Sequence, residues 1–320
     1  MPPKIVVITG PTGTGKTKLG VMLAQMLNGE IVSADSMQVY RRMDIGTAKV
    51  RPEESCGIKH HMIDIAEPDE PFSAAEYVTR ATECIDGILA RGKLPIVVGG
   101  TNLYIDSLIA GIDFADNSSD GALRDELNAE YDRLGGEAML GLLRGFDPER
   151  AQKLHPADKK RIVRAIEVYK LTGRTITEHD EETRLRPKRY DAAIIALDYE
   201  DRARLYERID DRVDEMVSAG LFDEVKGLLD AGLGENSTAM QAIGYKEPAA
   251  FFRGEISYGE AVEQIKRESR RYAKRQLTWL RRNGDVFWIR WGEKPDLNEA
   301  RRVSTDFLRL RGYDVSMHTK

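Results

Sequence analysis

The octapeptide Gly10-Pro11-Thr12-Gly13-Thr14-Gly15-Lys16-Thr17 carries the most explicit chemistry in the chain. It follows the pattern G-x-x-x-x-G-K-[ST] of a loop that wraps a phosphate. Glycines let backbone N–H groups turn inward around an anion, and the helix that follows presents its positive dipole end. Lys16 adds a point charge, and the Thr17 hydroxyl can ligate a magnesium ion. The next candidate is Asp35, the first charged group after the apolar run Ile31–Ala34. In an open parallel sheet the carboxyl ends of strands face the site, which puts Asp35 in the same crevice as Lys16. There it can hold magnesium through water or act as a general base, or it can cap the turn at Ser36. Many phosphate loops are served by a carboxylate at the end of a nearby strand. The run Leu94–Val98 ends instead in Gly99-Gly100-Thr101, with no acid. His60-His61 invites a metal reading, but neighbours on a strand point to opposite faces, so structural or hydrogen-bonding roles are expected.

These groups need a scaffold, and the hydrophobic pattern supplies one. Lys4–Thr9, Glu30–Ala34, Met62–Ile65 and Leu94–Val98 read as short buried strands. Between them run helical patterns: Leu19, Met22, Leu23, Met26 and Leu27 after the loop, and Tyr77, Ala81, Ile85 and Leu89 after a capping box at Ser73 and Glu76. Strand–helix alternation implies an α/β parallel sheet with helices on both faces. Residues 112–190 show helical stretches, namely Leu123–Leu134, Ala138–Arg144 and Lys159–Leu171. The run Ala192–Leu197 then returns as a strand. The simplest organisation is a core of residues 1–111 and 191–320 with a helical insertion at 112–190. The alternative is a second domain that follows the first.

Composition sets outer limits. The 320 residues are 32% charged and 41% hydrophobic with a net charge of −5, which by itself argues against a strongly electrostatic nucleic-acid or membrane binder. No stretch of 18 apolar residues occurs, so a soluble, cytoplasmic protein is expected. Two cysteines, Cys56 and Cys84, build neither a disulfide framework nor a four-ligand zinc site and are expected as buried reduced thiols. The charge is unevenly spread. Residues 264–282 hold eight bases against Glu268, while residues 198–235 hold twelve acids against five bases. In the basic segment Val262, Ile265, Tyr272 and Trp279 form a stripe expected to face the core, leaving the bases as a surface that tracks phosphates.

Several segments together resemble the bacterial tRNA dimethylallyltransferases, also called tRNA isopentenyltransferases. They are Gly10–Thr17, Ser33–Tyr40, Ile45–Lys49, His60–Asp64, Val98–Tyr104, Arg161–Val168, Gln241–Tyr245 and Ala273–Trp279. The resemblance implies a P-loop NTPase-like fold. It implies transfer of a dimethylallyl group from dimethylallyl diphosphate to N6 of the adenosine 3′ to the anticodon (position 37). The loop would then hold a diphosphate leaving group, with Mg2+ at Thr17. Lys16, Asp35 and Thr101 would be catalytic, and Arg208 and Arg212 would approach the diphosphate, although a solvated salt-bridged face explains each arginine as well. Contacts to tRNA are implied at Asp35, Ser36, Met37, Gln38, Thr101, Lys159, Lys160, Arg161, Ile162, Val163 and Gln241. Arg271, Lys274 and Arg275 belong to the basic segment, and Arg124 is a weaker candidate in the insertion. The family implies a monomer with no obligate protein partner and no membrane. Competing readings are a prenyltransferase on free adenine nucleotides, a P-loop small-molecule kinase and a non-enzymatic RNA-binding module.

Overall fold

The computed structural model describes residues 2–112, 121–235 and 237–315. Its sheet is formed by β1 (Lys4–Thr9), β2 (Gly29–Ala34), β3 (His60–His61), β4 (Leu94–Gly99), β5 (Asp191–Tyr199) and β6 (Phe287–Trp291). The strands lie in the order β3-β2-β4-β1-β5-β6 and every pair is parallel. Ile5–Ile8, Ile96, Val97 and Ile195–Leu197 are buried, as strands covered on both faces require. The expected α/β sheet is therefore present, with three local differences. Residues 62–65 are not a strand; pairing to β2 stops after His61, and Met62 and Asp64 turn at positive φ. β5 runs past the expected Ala192–Leu197 to Tyr199, and β6 pairs beside it. Of the two thiols, Cys56 is exposed and Cys84 half-buried, not both buried.

The helices in chain order are α1 (Lys16–Met26), α2 (Pro52–Ser55), α3 (Ala74–Ala90), α4 (Asn102–Ala110), α5 (Gly121–Leu134), α6 (Gly136–Arg144), α7 (Pro148–Gln152), α8 (Lys159–Thr172), α9 (Ile176–Leu185), α10 (Arg202–Ser218), α11 (Leu221–Asp230), α12 (Lys246–Phe252), α13 (Tyr258–Leu280) and α14 (Leu297–Leu310). The box at Ser73 and Glu76 caps α3 as its sequence foretells: the Ser73 hydroxyl accepts from Glu76 N–H, and the Glu76 carboxylate accepts from Ser73 N–H.

Two compact units result, one of Met1–Ile109 with Tyr190–Lys320 and one of Ala110–Arg189. In the first, the order of strands matters for chemistry. β4 lies between β1 and β2, so the chain crosses over from β1 and returns, leaving a crevice at the carboxyl ends where the direction of winding reverses. Gly10 follows β1, Thr101 follows β4 and Asp35 follows β2. Three neighbouring strand ends thus present loop, hydroxyl and carboxylate in that order.

The second unit packs Leu127, Met139, Leu143, Ile162, Val163 and Ile166 into its own core. Ile162 and Val163 are 0% and 2% exposed. Their side chains cannot touch tRNA, which corrects the expectation for these two. Lys160 and Arg161, on the same helix, are exposed. Arg124 donates to Glu167 Oε2 at 2.9 Å, and Arg164 donates to the same oxygen at 2.9 Å. Glu167 is fully buried, so Arg124 serves as its counter-charge and is not an unengaged cation for RNA.

Candidate active site

The loop after β1 has the conformation its glycines permit. Gly10, Gly13 and Gly15 all have positive φ. A Cβ at Gly10 would collide with the carbonyl oxygen of Leu197 in β5, so this position must be glycine for steric as well as torsional reasons. Thr14 Oγ1 donates to Pro11 O at 2.8 Å and closes the turn. From the sheet edge, Trp291 Nε1 donates to Thr14 O at 3.0 Å. That indole N–H braces the phosphate loop from the last strand of the sheet.

Lys16 starts α1 and donates to Pro11 O at 2.7 Å. Burial, aided by the positive charge of Arg212 and opposed by Asp35, pushes its ammonium pKa down to about 7. Arg212 itself is held below the usual arginine range by burial and by Arg208. Its Nε is buried with no hydrogen-bond partner. Arg208 lies against the loop, its Cγ 3.4 Å from where a Cβ on Gly13 would sit, and it pairs with Glu215 at 2.7 Å. Lys16, Arg208 and Arg212 therefore crowd like charges around a glycine cradle. Such crowding favours an anion, and the buried Arg212 Nε offers it a donor that no protein group uses.

Asp35 is held at the end of β2 by its own turn. Its Oδ1 accepts from the N–H of Met37 at 2.9 Å and of Gln38 at 3.3 Å. The capping role weighed from sequence is thus real, and it occupies one carboxylate oxygen while leaving the group within electrostatic reach of Lys16 and Arg212. Thr101 Oγ1 accepts from Ser36 N–H at 3.0 Å and so ties the end of β4 to the turn after β2. Gln38 is used internally: its Oε1 accepts from Ser33 Oγ at 2.9 Å, and its Nε2 donates to Thr47 O at 3.1 Å. Met37 packs against the helical cluster around Val39 and Tyr245.

The segment Ile45–Lys49 is a scaffold. Glu224 of α11 accepts from the N–H groups of Asp44, Ile45 and Gly46 at 2.8, 2.8 and 3.2 Å, and from Tyr245 Oη at 2.6 Å. Lys49 donates to Tyr40 O, Asp44 and Asp64 at 2.6–2.7 Å. Gln241 is exposed, its Nε2 donating to Glu235 O at 2.9 Å.

On α13 the sequence count overstated the open charge. Lys266 pairs with Asp214 at 2.8 Å and Arg270 with Asp210 at 2.5 Å, both acids belonging to α10. Arg281 lies 3.7 Å from Asp198. Acids remote in sequence thus cancel three of the eight bases. The outward face keeps Arg267, Arg271, Lys274, Arg275 and Arg282, of which Arg271 shares Glu268 at 2.7 Å. The inward stripe also differs from expectation. Trp279 is 41% exposed and donates to Asp106 Oδ2 at 2.5 Å. Burial pushes the Tyr272 phenol up to about 12, opposed by the neighbouring Thr101 and Gln276 side chains. Gln276 and Tyr272 are site neighbours that sequence reasoning missed: Gln276 lay in the recognised segment Ala273–Trp279, and Tyr272 was read only as part of the core-facing stripe.

A magnesium ion fits this arrangement as one carried by a diphosphate. Among the described residues no three His, Cys, Asp or Glu side chains come together to cage a metal. The available donors, the Thr17 hydroxyl and the Asp35 carboxylate, are hard oxygens suited to an ion that keeps its waters and its phosphate ligands.

Comparison with known proteins agrees with this geometry. The family model described as IPP transferase matches residues 38–283. The tRNA dimethylallyltransferase of Bacillus licheniformis is 51% identical over 310 residues, covering 97% of each chain. That of Acetivibrio thermocellus is 50% identical over 285 residues, 89% of this chain and 91% of its own. Among solved structures, the full-length tRNA isopentenylpyrophosphate transferase from Bacillus halodurans superposes with a TM-score of 0.72 at 42% identity, covering 97% of this chain and 98% of its own. A eukaryotic dimethylallyltransferase described as acting on tRNA gives 0.82 at 29% identity, covering 99% of this chain and 81% of its own. The family model over residues 38–283, with relatives about half identical along nearly the whole chain, places the chain in the IPP transferase family.

Proposed function

We propose that this chain is an enzyme that transfers a dimethylallyl group from dimethylallyl diphosphate to N6 of the adenosine next to the anticodon, on its 3′ side, in tRNA. The observation that carries this reading is the cluster of Lys16, Arg208 and Arg212 around the loop, with the unpartnered Arg212 Nε, facing Asp35. A site built this way stabilises charge growing on a departing diphosphate. The N6 lone pair forms the bond to the allylic carbon. The bond from that carbon to the bridging oxygen breaks, its electron pair leaving with the diphosphate. Asp35 receives the N6 proton on the oxygen its turn does not engage. Thr101 keeps the turn that carries Asp35 in place and borders the bound base. Magnesium, held by Thr17 and the diphosphate, would neutralise phosphate charge.

The adenine must leave its stack to reach this crevice. In the first unit Arg271, Lys274 and Arg275 would hold tRNA through its phosphates; in the second, Lys160 and Arg161 offer exposed cations of the same kind. Among the described residues no helix is long and apolar enough to cross a membrane, and a tRNA substrate sets the cytoplasm as the site of action. The deciding experiment incubates the protein with dimethylallyl diphosphate and an anticodon stem-loop and reads the added five-carbon unit by mass. Modification of the stem-loop supports the reading. Modification of AMP alone, in a parallel reaction, overturns it. Binding of the stem-loop must also weaken steeply with salt, and a flat salt dependence counts against the helical face assigned to it.

A further inference from the structure

One stripe of α13 meets the active site directly. Tyr272, Gln276 and Trp279 stand at i, i+4 and i+7, one helical face, and each reaches the segment that leads from β4 into α4. Tyr272 stands beside the Thr101 hydroxyl, close enough to feel it electrostatically. Gln276 Nε2 donates to Gly100 O at 2.8 Å, and the backbone carbonyl of Gln276 accepts from Asn102 Nδ2 at 3.2 Å. Trp279 Nε1 donates to Asp106. Gln276 is 5% exposed, and a Cβ on Gly100 would collide with its amide, so only glycine leaves room for it.

We propose that Gln276, acting with Tyr272, is a positioning residue of the transfer reaction: it fixes Gly100 and the Thr101 hydroxyl, and through Ser36 the turn that aims Asp35. The chain of contacts is continuous. Gln276 holds the Gly100 carbonyl, whose peptide bond leads directly into Thr101; Tyr272 stands beside Thr101 and Gln276; Thr101 accepts from Ser36 N–H at 3.0 Å; the next two amides, Met37 and Gln38, donate to Asp35 Oδ1. Global stability does not explain the glutamine. Its Oε1 is buried without a partner, so an unbranched apolar side chain of similar length removes an orphan acceptor along with one hydrogen bond. Loss of stability and loss of turnover are therefore separable. The proposal rests on the transferase reading above.

The test uses Gln276→Met, Tyr272→Phe and the double variant in the full chain, with steady-state transfer to the stem-loop. Each single variant is expected to lower kcat about 10-fold, with KM for the stem-loop and for dimethylallyl diphosphate changed less than about 2-fold and Tm nearly unchanged. The double variant is expected to lose little more than either single one, because both act on one chain of contacts. Wild-type kcat in the singles, fully multiplicative losses in the double, or a loss confined to KM for the stem-loop overturns the proposal. Should Gln276→Met fail to fold, Tyr272→Phe, which removes one oxygen and keeps the ring, decides it alone on the same kcat criterion. A wild-type protein that transfers nothing to the stem-loop overturns the transferase reading as well, whereas active wild type with unaffected variants overturns only this inference.

Discussion

The two ends of β2 handle buried charge in opposite ways. At its amino end, Glu30 is almost fully buried and accepts from Arg91 at 2.7 Å and Lys93 at 2.8 Å, with His61 Nε2 at 2.7 Å. Burial alone would raise its pKa. The hydrogen bonds from Lys93, Arg91 and His61 outweigh that and hold it at about 2. At the carboxyl end, Lys16 and Arg212 repel each other, as do Arg212 and Arg208, which Glu215 pairs; one buried guanidinium nitrogen has no partner, and Asp35 faces Lys16 and Arg212. One end is satisfied by the protein; the other is incomplete without a ligand. The same strand shows where charge stabilises the fold and where it is kept ready for an anion.

The largest expected break in this comparison is Asp35→Ala, which should lower turnover by about 10²-fold or more while stem-loop binding persists. Unaltered transfer of labelled dimethylallyl groups would remove Asp35 from the chemistry. Next comes Arg212→Met. It should raise KM for the prenyl diphosphate about 10-fold yet raise Tm, since it deletes a desolvated, like-charge neighbour of Lys16. A lowered Tm would show that the carboxyl end is satisfied after all. At the opposite end, Glu30→Gln should cost about 1–2 kcal/mol in denaturant unfolding, with turnover at moderate temperature kept within about 2-fold. Because the folded pKa of Glu30 lies below its ordinary 4.5, its contribution is complete above pH 4.5 and is lost as pH falls toward 2. The wild type should therefore lose stability in that window faster than Glu30→Gln. The smallest effect is a fraction of a proton. With Lys16 near pKa 7, diphosphate binding at pH 7–8 should draw a proton onto its neutral amine fraction, because the anion restores its ordinary basicity. Calorimetry in buffers of different ionisation enthalpy measures this, and zero uptake would contradict the depressed pKa.

Legibility from sequence followed the range of the interactions. The phosphate loop, Asp35 and Thr101 were readable because each is defined by a few consecutive residues at a strand end. The parallel sheet was readable because its strands are short apolar runs. β6 was not: Phe287–Trp291 includes exposed Arg290, and it becomes a strand by pairing with β5, about 90 residues earlier. The charge of α13 was misjudged for the same reason, since Asp210 and Asp214 approach it from another helix. Ile162 and Val163 were assigned by resemblance to a segment, and such a resemblance does not say which of its side chains face inward; these two do. Gln276 belonged to a recognised segment and Tyr272 to the core-facing stripe, yet Gln276 acts through a contact to Gly100 that spans 176 residues of chain.

The bracing of the phosphate loop by Trp291 also fixes when the site can mature. Thr14 waits for a donor that lies 277 residues later. The amino-terminal ends of β1 and β5 wait longer: the Tyr313 hydroxyl accepts from Ala193 N–H at 3.1 Å and lies 2.8 Å from the carbonyls of Ile5 and Asp191. During synthesis from the amino terminus, the nascent chain holds its whole phosphate motif and Asp35 long before either clasp has left the ribosome. The loop is thus written first and finished last. A partly made chain, or one truncated before Trp291, should carry every catalytic side chain and still present an unbraced cradle.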